Sequence, residues 1–256
     1  MKIGILQTGN VRGDLADAFG EYPPMFDRLL NGRPLDASGG GFALEAFEIV
    51  NGAPTPSPHD ADGWVVTGSK HGVYDPLPWI EPLKAFLRAA RAAGRPIVGV
   101  CFGHQILAEA FGGRAVKHPG GWNLGAGDFS LAVDGAAPAW LGALGGSARL
   151  HSIHQDQVIA LPADATIWAR SSGCEIAGAL YGDPSAPDAV SIQPHPEFAP
   201  DFAAALIARL IQDGRVDGRL GAEALASIDA APVHNAAIGR ALADYLAGAV
   251  AARRAA

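Results

Sequence analysis

Apolar and polar positions along the chain fall into two periodicities. Four short runs, Ile3–Leu6, Ala46–Val50, Trp64–Thr67 and Ile97–Val100, are continuous rather than alternating. Such runs predict strands covered on both faces, as in a parallel sheet. Between the last two lies Pro78–Ala93, where apolar residues recur at helical spacing and the charges fall opposite. That pattern predicts an amphipathic helix, with Pro82 near its first turn, where proline is tolerated. Gly103–Phe111 reads as another helix, stopped by Gly112-Gly113. Beyond Arg114 the pattern is strand-rich, with runs at Phe129–Val133, Val158–Leu161, Thr166–Ala169, Ile176–Tyr181 and Ala189–Ile192; Phe202–Gln212 is helical. Strands alternating with helices, then extra strands, predict an open α/β sheet with helices on both faces.

Residues 213–256 differ. They are Ala-rich and carry two predicted helices, Ala222–Ile228 and Ala236–Ala252, with Ala251–Ala256 expected to fray. The chain therefore divides into a main unit, 1–212, and a helical extension, 213–256, expected to pack on it or to offer a surface to a partner such as a second copy.

Composition narrows the classes. With 256 residues, 49% hydrophobic and 18% charged, the chain can bury a sizeable core and is not disordered. A net charge of −7 argues against a nucleic-acid surface. Met1–Gln7 has one charge and too short an apolar run for a signal peptide, and no run is long enough to span a membrane. A cytoplasmic, reducing setting is the expectation. Two cysteines, Cys101 and Cys174, exclude a disulfide scaffold. No C-x-x-C or H-x-x-x-H spacing occurs, so no metal site and no cofactor are expected.

The chemistry concentrates in Pro96–Gly113, PIVGVCFGHQILAEAFGG. A buried strand runs into Gly99-Val100-Cys101-Phe102-Gly103, and a helix follows at once. This is the glycine-flanked elbow that presents a nucleophile, here with cysteine in the nucleophile position. Glycines let the tight turn close. The turn places the side chain at the carboxyl edge of the sheet, where open α/β folds bind ligands. The helix N-terminus favours the thiolate through its dipole and free N–H groups. Cys174, in SSGCE, has no such setting and reads as structural.

A thiolate nucleophile needs a histidine, and the histidine an orienting acceptor. Of eight histidines, His195 follows the predicted strand Ala189–Ile192, and so lies at the same sheet edge as the elbow. Glu197 is two residues on. Pro194 and Pro196 favour an extended chain, in which residues i and i+2 point the same way.

G-V-C-F-G-H-Q, followed much later by P-H-P-E, resembles the class I glutamine amidotransferases over roughly residues 1–212. The resemblance implies a three-layer, mostly parallel open sheet of flavodoxin-like kind with added antiparallel strands. It implies a Cys101–His195–Glu197 triad that attacks the γ-amide carbon of glutamine, releases ammonia and hydrolyses a γ-glutamyl thioester. Backbone N–H groups of Gly68, Ser69 and Phe102 would form the oxyanion hole. Gln105 matches the glutamine-contacting position of the family's G-H-Q, and His154 and Asp156 fall in a segment that resembles its H-x-D-x-V. His104 is expected to pack structurally.

The loop Gly68-Ser69-Lys70-His71-Gly72-Val73-Tyr74-Asp75 departs from the Gly-Gly-Pro of many members. It and Gly121-Trp122-Asn123-Leu124-Gly125 resemble the stand-alone subgroup that includes plant γ-glutamyl peptidases. Lys70 and His71 could bind a substrate carboxylate or simply face solvent. No G-x-x-x-x-G-K-[ST] phosphate loop occurs. Ammonia would therefore serve a separate synthetase subunit, or the chain acts alone on glutamine or a γ-glutamyl conjugate. A non-catalytic binding module with the same fold is the reading from another class.

Overall fold

The computed structural model describes residues 1–32, 41–132 and 137–255. In chain order its elements are β1 (Lys2–Leu6), α1 (Gly13–Phe19), α2 (Tyr22–Asn31), β2 (Ala43–Phe47), β3 (Gly63–Val66), α3 (Ile80–Ala92), β4 (Ile97–Val100), α4 (Phe102–Ala110), β5 (Arg114–Lys117), β6 (Asn123–Leu131), α5 (Ala139–Gly142), β7 (Ser147–His154), β8 (Asp156–Ala160), β9 (Ala165–Ser171), β10 (Cys174–Tyr181), β11 (Ala189–Ile192), α6 (Pro200–Gln212), α7 (Gly218–Ala230) and α8 (Asn235–Ala255).

One large sheet has the order β2-β1-β3-β4-β11-β10-β9-β6-β7, and β5 pairs with β8 in a separate ribbon. From β2 to β11 all neighbours are parallel; from β11 to β7 they are antiparallel. The parallel part has the doubly wound strand order 2-1-3-4-5, whose ligands bind beyond the strands' carboxyl ends where the order reverses. The open α/β sheet with antiparallel additions read from the sequence is thus present. Ile3, Ile5, Val65, Val98 and Val190 bury one face under α2 and α8; Leu6, Trp64, Val66 and Ile97 bury the other under α3 and α4.

Some boundaries differ from expectation, each for a physical reason. The second apolar run holds a strand only as far as Phe47, and Ile49–Asn51 forms a 3-10 turn that buries Ile49. β2 is an edge strand and half exposed, not covered on both faces. The run expected at Phe129–Val133 belongs to a strand that starts at Asn123, and Val133 lies outside the described residues. β7 escaped the pattern because its buried positions include His151, Ser152 and His154, polar side chains that read as loop. α2 escaped because Pro23-Pro24 looks like a breaker, although proline suits a helix's first turn. α8 stays helical to Ala255 rather than fraying from Ala251, held by Arg254 Nη2 on Asp62 Oδ1 at 2.9 Å and Arg253 on Asp188 at 3.8 Å.

The helices after residue 213 lie against the rest of the chain. α7 packs on β6 across Gly125, at φ +92°, where a Cβ would meet Ser227 Oγ at 2.3 Å and Ala224 O at 2.8 Å. α8 contributes Ile238, Leu242, Tyr245 and Leu246 to the core beside α2. Among the described residues no helix is long and apolar enough to cross a membrane.

Candidate active site

β4 delivers Cys101 to the carboxyl edge of the sheet, and α4 begins one residue later. Cys101 is the one non-glycine residue with positive φ among the described residues (φ 55°, ψ −104°). Such a conformation is costly for a residue with a Cβ, and clusters at functional sites. The surroundings hold it: Cys101 N–H donates to Ile192 O at 2.9 Å, and Gln105 N–H donates to Cys101 O at 3.1 Å. Both flanking glycines are needed for close approach. A Cβ at Gly99 would lie 2.4 Å from Gly103 O, and one at Gly103 2.4 Å from Val66 O.

β11, the neighbour of β4, ends three residues before His195. His195 Nδ1 donates to Glu197 Oε1 at 2.7 Å, and both side chains are buried. The pair forms in a turn, not in the extended chain expected: Phe198 N–H donates to His195 O at 3.4 Å, and no strand covers 193–199. The turn brings the Glu197 carboxylate round to the imidazole's inner nitrogen. Burial opposes the charged form of His195, but Glu197 and the hydrogen-bonded Cys101 sulfur outweigh it and push the imidazole up to about 10. Gly68 stands over both groups: a Cβ there would lie 3.1 Å from His195 Cε1 and 3.8 Å from Cys101 Cβ.

The loops after β1 and β3 meet at the same edge. Thr8 N–H donates to Thr67 Oγ1 at 3.0 Å, and the Thr8 hydroxyl to Thr67 O at 2.9 Å. This fixes the Gly68–Ser69 backbone beside the cysteine. The Phe102 N–H sits in the open first turn of α4, where helix donors have no intrahelical partner.

These elements enclose a cavity of about 530 Å³ lined by Cys101, His195, Ser69, Gln105, His154 and Asp156. Gln105 faces it, but its amide nitrogen is committed to Asp156 O at 3.0 Å and Gln193 Oε1 at 3.1 Å. His154 is held by its Nδ1 donating to Asp156 O at 3.0 Å and by Asn123 Nδ2 donating to its Nε2 at 3.3 Å. Asp156 is half-buried, and burial raises its carboxyl above the usual range despite Tyr74 and Lys117. Lys70 and His71 also line the cavity, whereas Gly68, Phe102 and Glu197 are not among its lining residues.

Two aromatic residues at the site carried no sequence signal. Phe198 stacks on the His195 ring, centroids 4.0 Å apart at 5°, and Tyr22 stacks on Phe198 at 6.0 Å and 19°. Burial, then the nearby Glu197 and Cys101, push the Tyr22 phenol upward, so it stays neutral. The Phe198 carbonyl accepts from Asn235 Nδ2 at 2.7 Å and His151 Nδ1 at 3.2 Å, tying the turn to α8 and β7. Cys174 is buried away from the cavity, and burial pushes its thiol up to about 12.

His104 does pack structurally, between Ser191 Oγ at 2.7 Å and Ile176 O at 3.0 Å. Burial lowers His104 to about 4 and His154 to about 3. An unfolded histidine titrates near 6.5, so their neutral burial stabilises the fold above that pH. This stability is lost as pH falls through about 4 for His104 and about 3 for His154. His195 has the opposite sign: its contribution is complete below about 6.5 and fades as pH rises through about 10. Urea midpoints should therefore fall on both sides of neutrality, and His104→Gln should flatten the acid limb. An acid limb unaltered by that change would contradict the assignment.

The fold and site define a class: doubly wound α/β proteins with a cysteine at the strand-to-helix elbow and a His–Glu pair in the turn after the neighbouring strand. Residues 47–210 match the family model for class-I glutamine amidotransferases. The chain belongs to that family. It is 28% identical over 203 residues to γ-glutamyl peptidase 4 of Arabidopsis thaliana, covering 77% of this chain and 76% of that one. It is 29% identical over 185 residues to one component of the glutamine-hydrolysing GMP synthase of Halobacterium salinarum, covering 72% and 88%. Among solved structures, a glutamine amidotransferase from Methylobacillus flagellatus superposes with TM-score 0.71 at 22% identity, covering 98% and 94% of the two chains.

Proposed function

We propose that the protein hydrolyses γ-glutamyl amide bonds through a cysteine-bound γ-glutamyl intermediate, glutamine being the smallest such substrate. The observation that carries this is Cys101 on its strained elbow, facing a cavity with a buried, Glu197-paired His195 beside it. The Cys101 sulfur attacks the γ-carbonyl carbon. Developing charge on the oxygen meets backbone N–H groups of Gly68, Ser69 and Phe102. His195 gives its proton to the leaving nitrogen as the C–N bond breaks, and Glu197 keeps the ring oriented. Water, deprotonated by His195, then opens the thioester to glutamate. Gln105, His154 and Asp156 shape the pocket for the glutamyl group, two of them through their own hydrogen bonds. The residues after 212 act as an extension of the same domain.

A second reading, in which the ammonia passes to a separate synthetase, draws on the Halobacterium salinarum relative that is itself one component of a GMP synthase. A diazo-ketone analogue of glutamine, with peptide mass spectrometry, tests the chemistry common to both. Cys101 should carry the adduct and Cys174 none. Label on Cys174, or no label at all, would sink the proposal.

A further inference from the structure

The cavity is larger than a free amino acid requires: at about 530 Å³ it falls in the range of roughly 300–1,000 Å³ typical of drug-sized ligands. Its extra space has a definite place. In the proposed reaction His195 must face the leaving nitrogen, since it delivers the proton there. The leaving group therefore lies at the free ring-nitrogen edge of His195, beside the ring face that Phe198 covers. Phe198 lines the same cavity as one stripe of α6, Phe202, Leu206 and Leu210, whose side chains, four residues apart, share a helix face. Phe198 and Phe202 pack edge to face at 4.7 Å. Trp122 also lines the cavity; its ring carries the Arg215 guanidinium at 5.9 Å and its Nε1 donates to Arg215 O at 3.0 Å.

The lining also carries cations, in a chain of net charge −7. Arg12, Lys70 and Arg215 all line the cavity. Arg12 is taken by Asp213. Arg215 has no carboxylate within ion-pair distance among the described residues. Ammonia has no use for either an apolar wall or a guanidinium.

We propose that this lobe is a leaving-group subsite, and that the preferred substrate is a γ-glutamyl amide of an apolar amino acid, whose carboxylate meets Arg215. The inference rests on the γ-glutamyl hydrolase reading above. The reaction balances as γ-Glu–NH–R plus water giving glutamate and H₂N–R. The C–N bond breaks, the proton from His195 goes to the amine, and the hydroxyl of water ends on glutamate.

Steady-state kinetics on glutamine, γ-glutamyl-phenylalanine and its C-terminal amide, with wild type and Arg215→Ala, test it. Wild type should prefer γ-glutamyl-phenylalanine to glutamine by about tenfold or more in kcat/KM, roughly what a filled apolar pocket is worth. Amidation of the carboxylate should cost about tenfold, the scale of a charged hydrogen bond at a partly wet site. Arg215→Ala should erase the difference between acid and amide; as an exposed residue it is not needed for folding. Glutamine turned over as fast as the dipeptide overturns the subsite and leaves the hydrolase reading standing. A dipeptide preference indifferent to amidation overturns the role of Arg215. Silence on all three substrates overturns both proposals.

Discussion

Cys101→Ala is expected to reduce γ-glutamyl amide cleavage by about four orders of magnitude or more, the scale seen when a nucleophile is removed from a concerted site, while the circular dichroism spectrum stays unchanged. The side chain is small and buried, and alanine keeps its Cβ, so the elbow has no steric reason to rearrange. A second readout separates chemistry from damage. The Cys101 sulfur helps hold the His195 proton, so the imidazole should titrate at lower pH in Cys101→Ala, visible by NMR of the ring. Glu197→Gln should move it the same way, since Glu197 is the strongest influence raising it. His195→Ala should cost more activity than Glu197→Ala, because one removes the proton carrier and the other only its orienting group. Activity retained in Cys101→Ala, or the reverse order of the other two, would mean the roles are wrongly assigned.

Gly103→Ala is expected to destabilise the fold by about 3 kcal/mol or more, the upper end of overpacking costs. The added methyl would meet the carbonyl oxygen of Val66 at 2.4 Å. That oxygen belongs to a central buried strand, which cannot yield without disturbing its ladders to β1 and β4. Gly99→Ala should behave alike, its methyl meeting Gly103 O at 2.4 Å. Gly127→Ala is the control: it has nothing within 4 Å of the new methyl and no positive φ, so stability should stay within about 1 kcal/mol. Urea midpoints at neutral pH decide the matter. A Gly103→Ala protein as stable as Gly127→Ala would show that the elbow is looser than drawn.

How legible the site is depends on the sequence distance of its contacts. The elbow could be read because the glycines, the cysteine and the flanking strand and helix are contiguous, and their clashes are local. The order of elements fixed the parallel half of the sheet for the same reason. His195 and Glu197 could be picked out from strand position and spacing, but not the way they meet. Two prolines made an extended segment the natural expectation, whereas the chain turns at Phe198 to pack its ring on the imidazole. Gln105 was expected to touch substrate, yet half its capacity is fixed by Gln193 and the Asp156 backbone, partners 88 and 51 residues away. Tyr22, Phe198 and Arg215 left no local trace. Each acquires its place only when α2, α6 and the segment after α6 come together.

The clamp on the Phe198 carbonyl bears on when the molecule becomes competent. Its two donors lie 37 residues downstream, at the head of α8, and 47 residues upstream, in β7. Both loops are shorter than the 92-residue span from Ile97 to Ala189 that pairs β4 with β11, so closing them costs less chain entropy than the pairing that brings β11 into place. A chain whose parallel strands have paired thus already holds His195 three residues beyond β11 at the elbow, with its turn still to be tied to α8. The last helix thus sets the orientation of the histidine's turn rather than its arrival at the elbow.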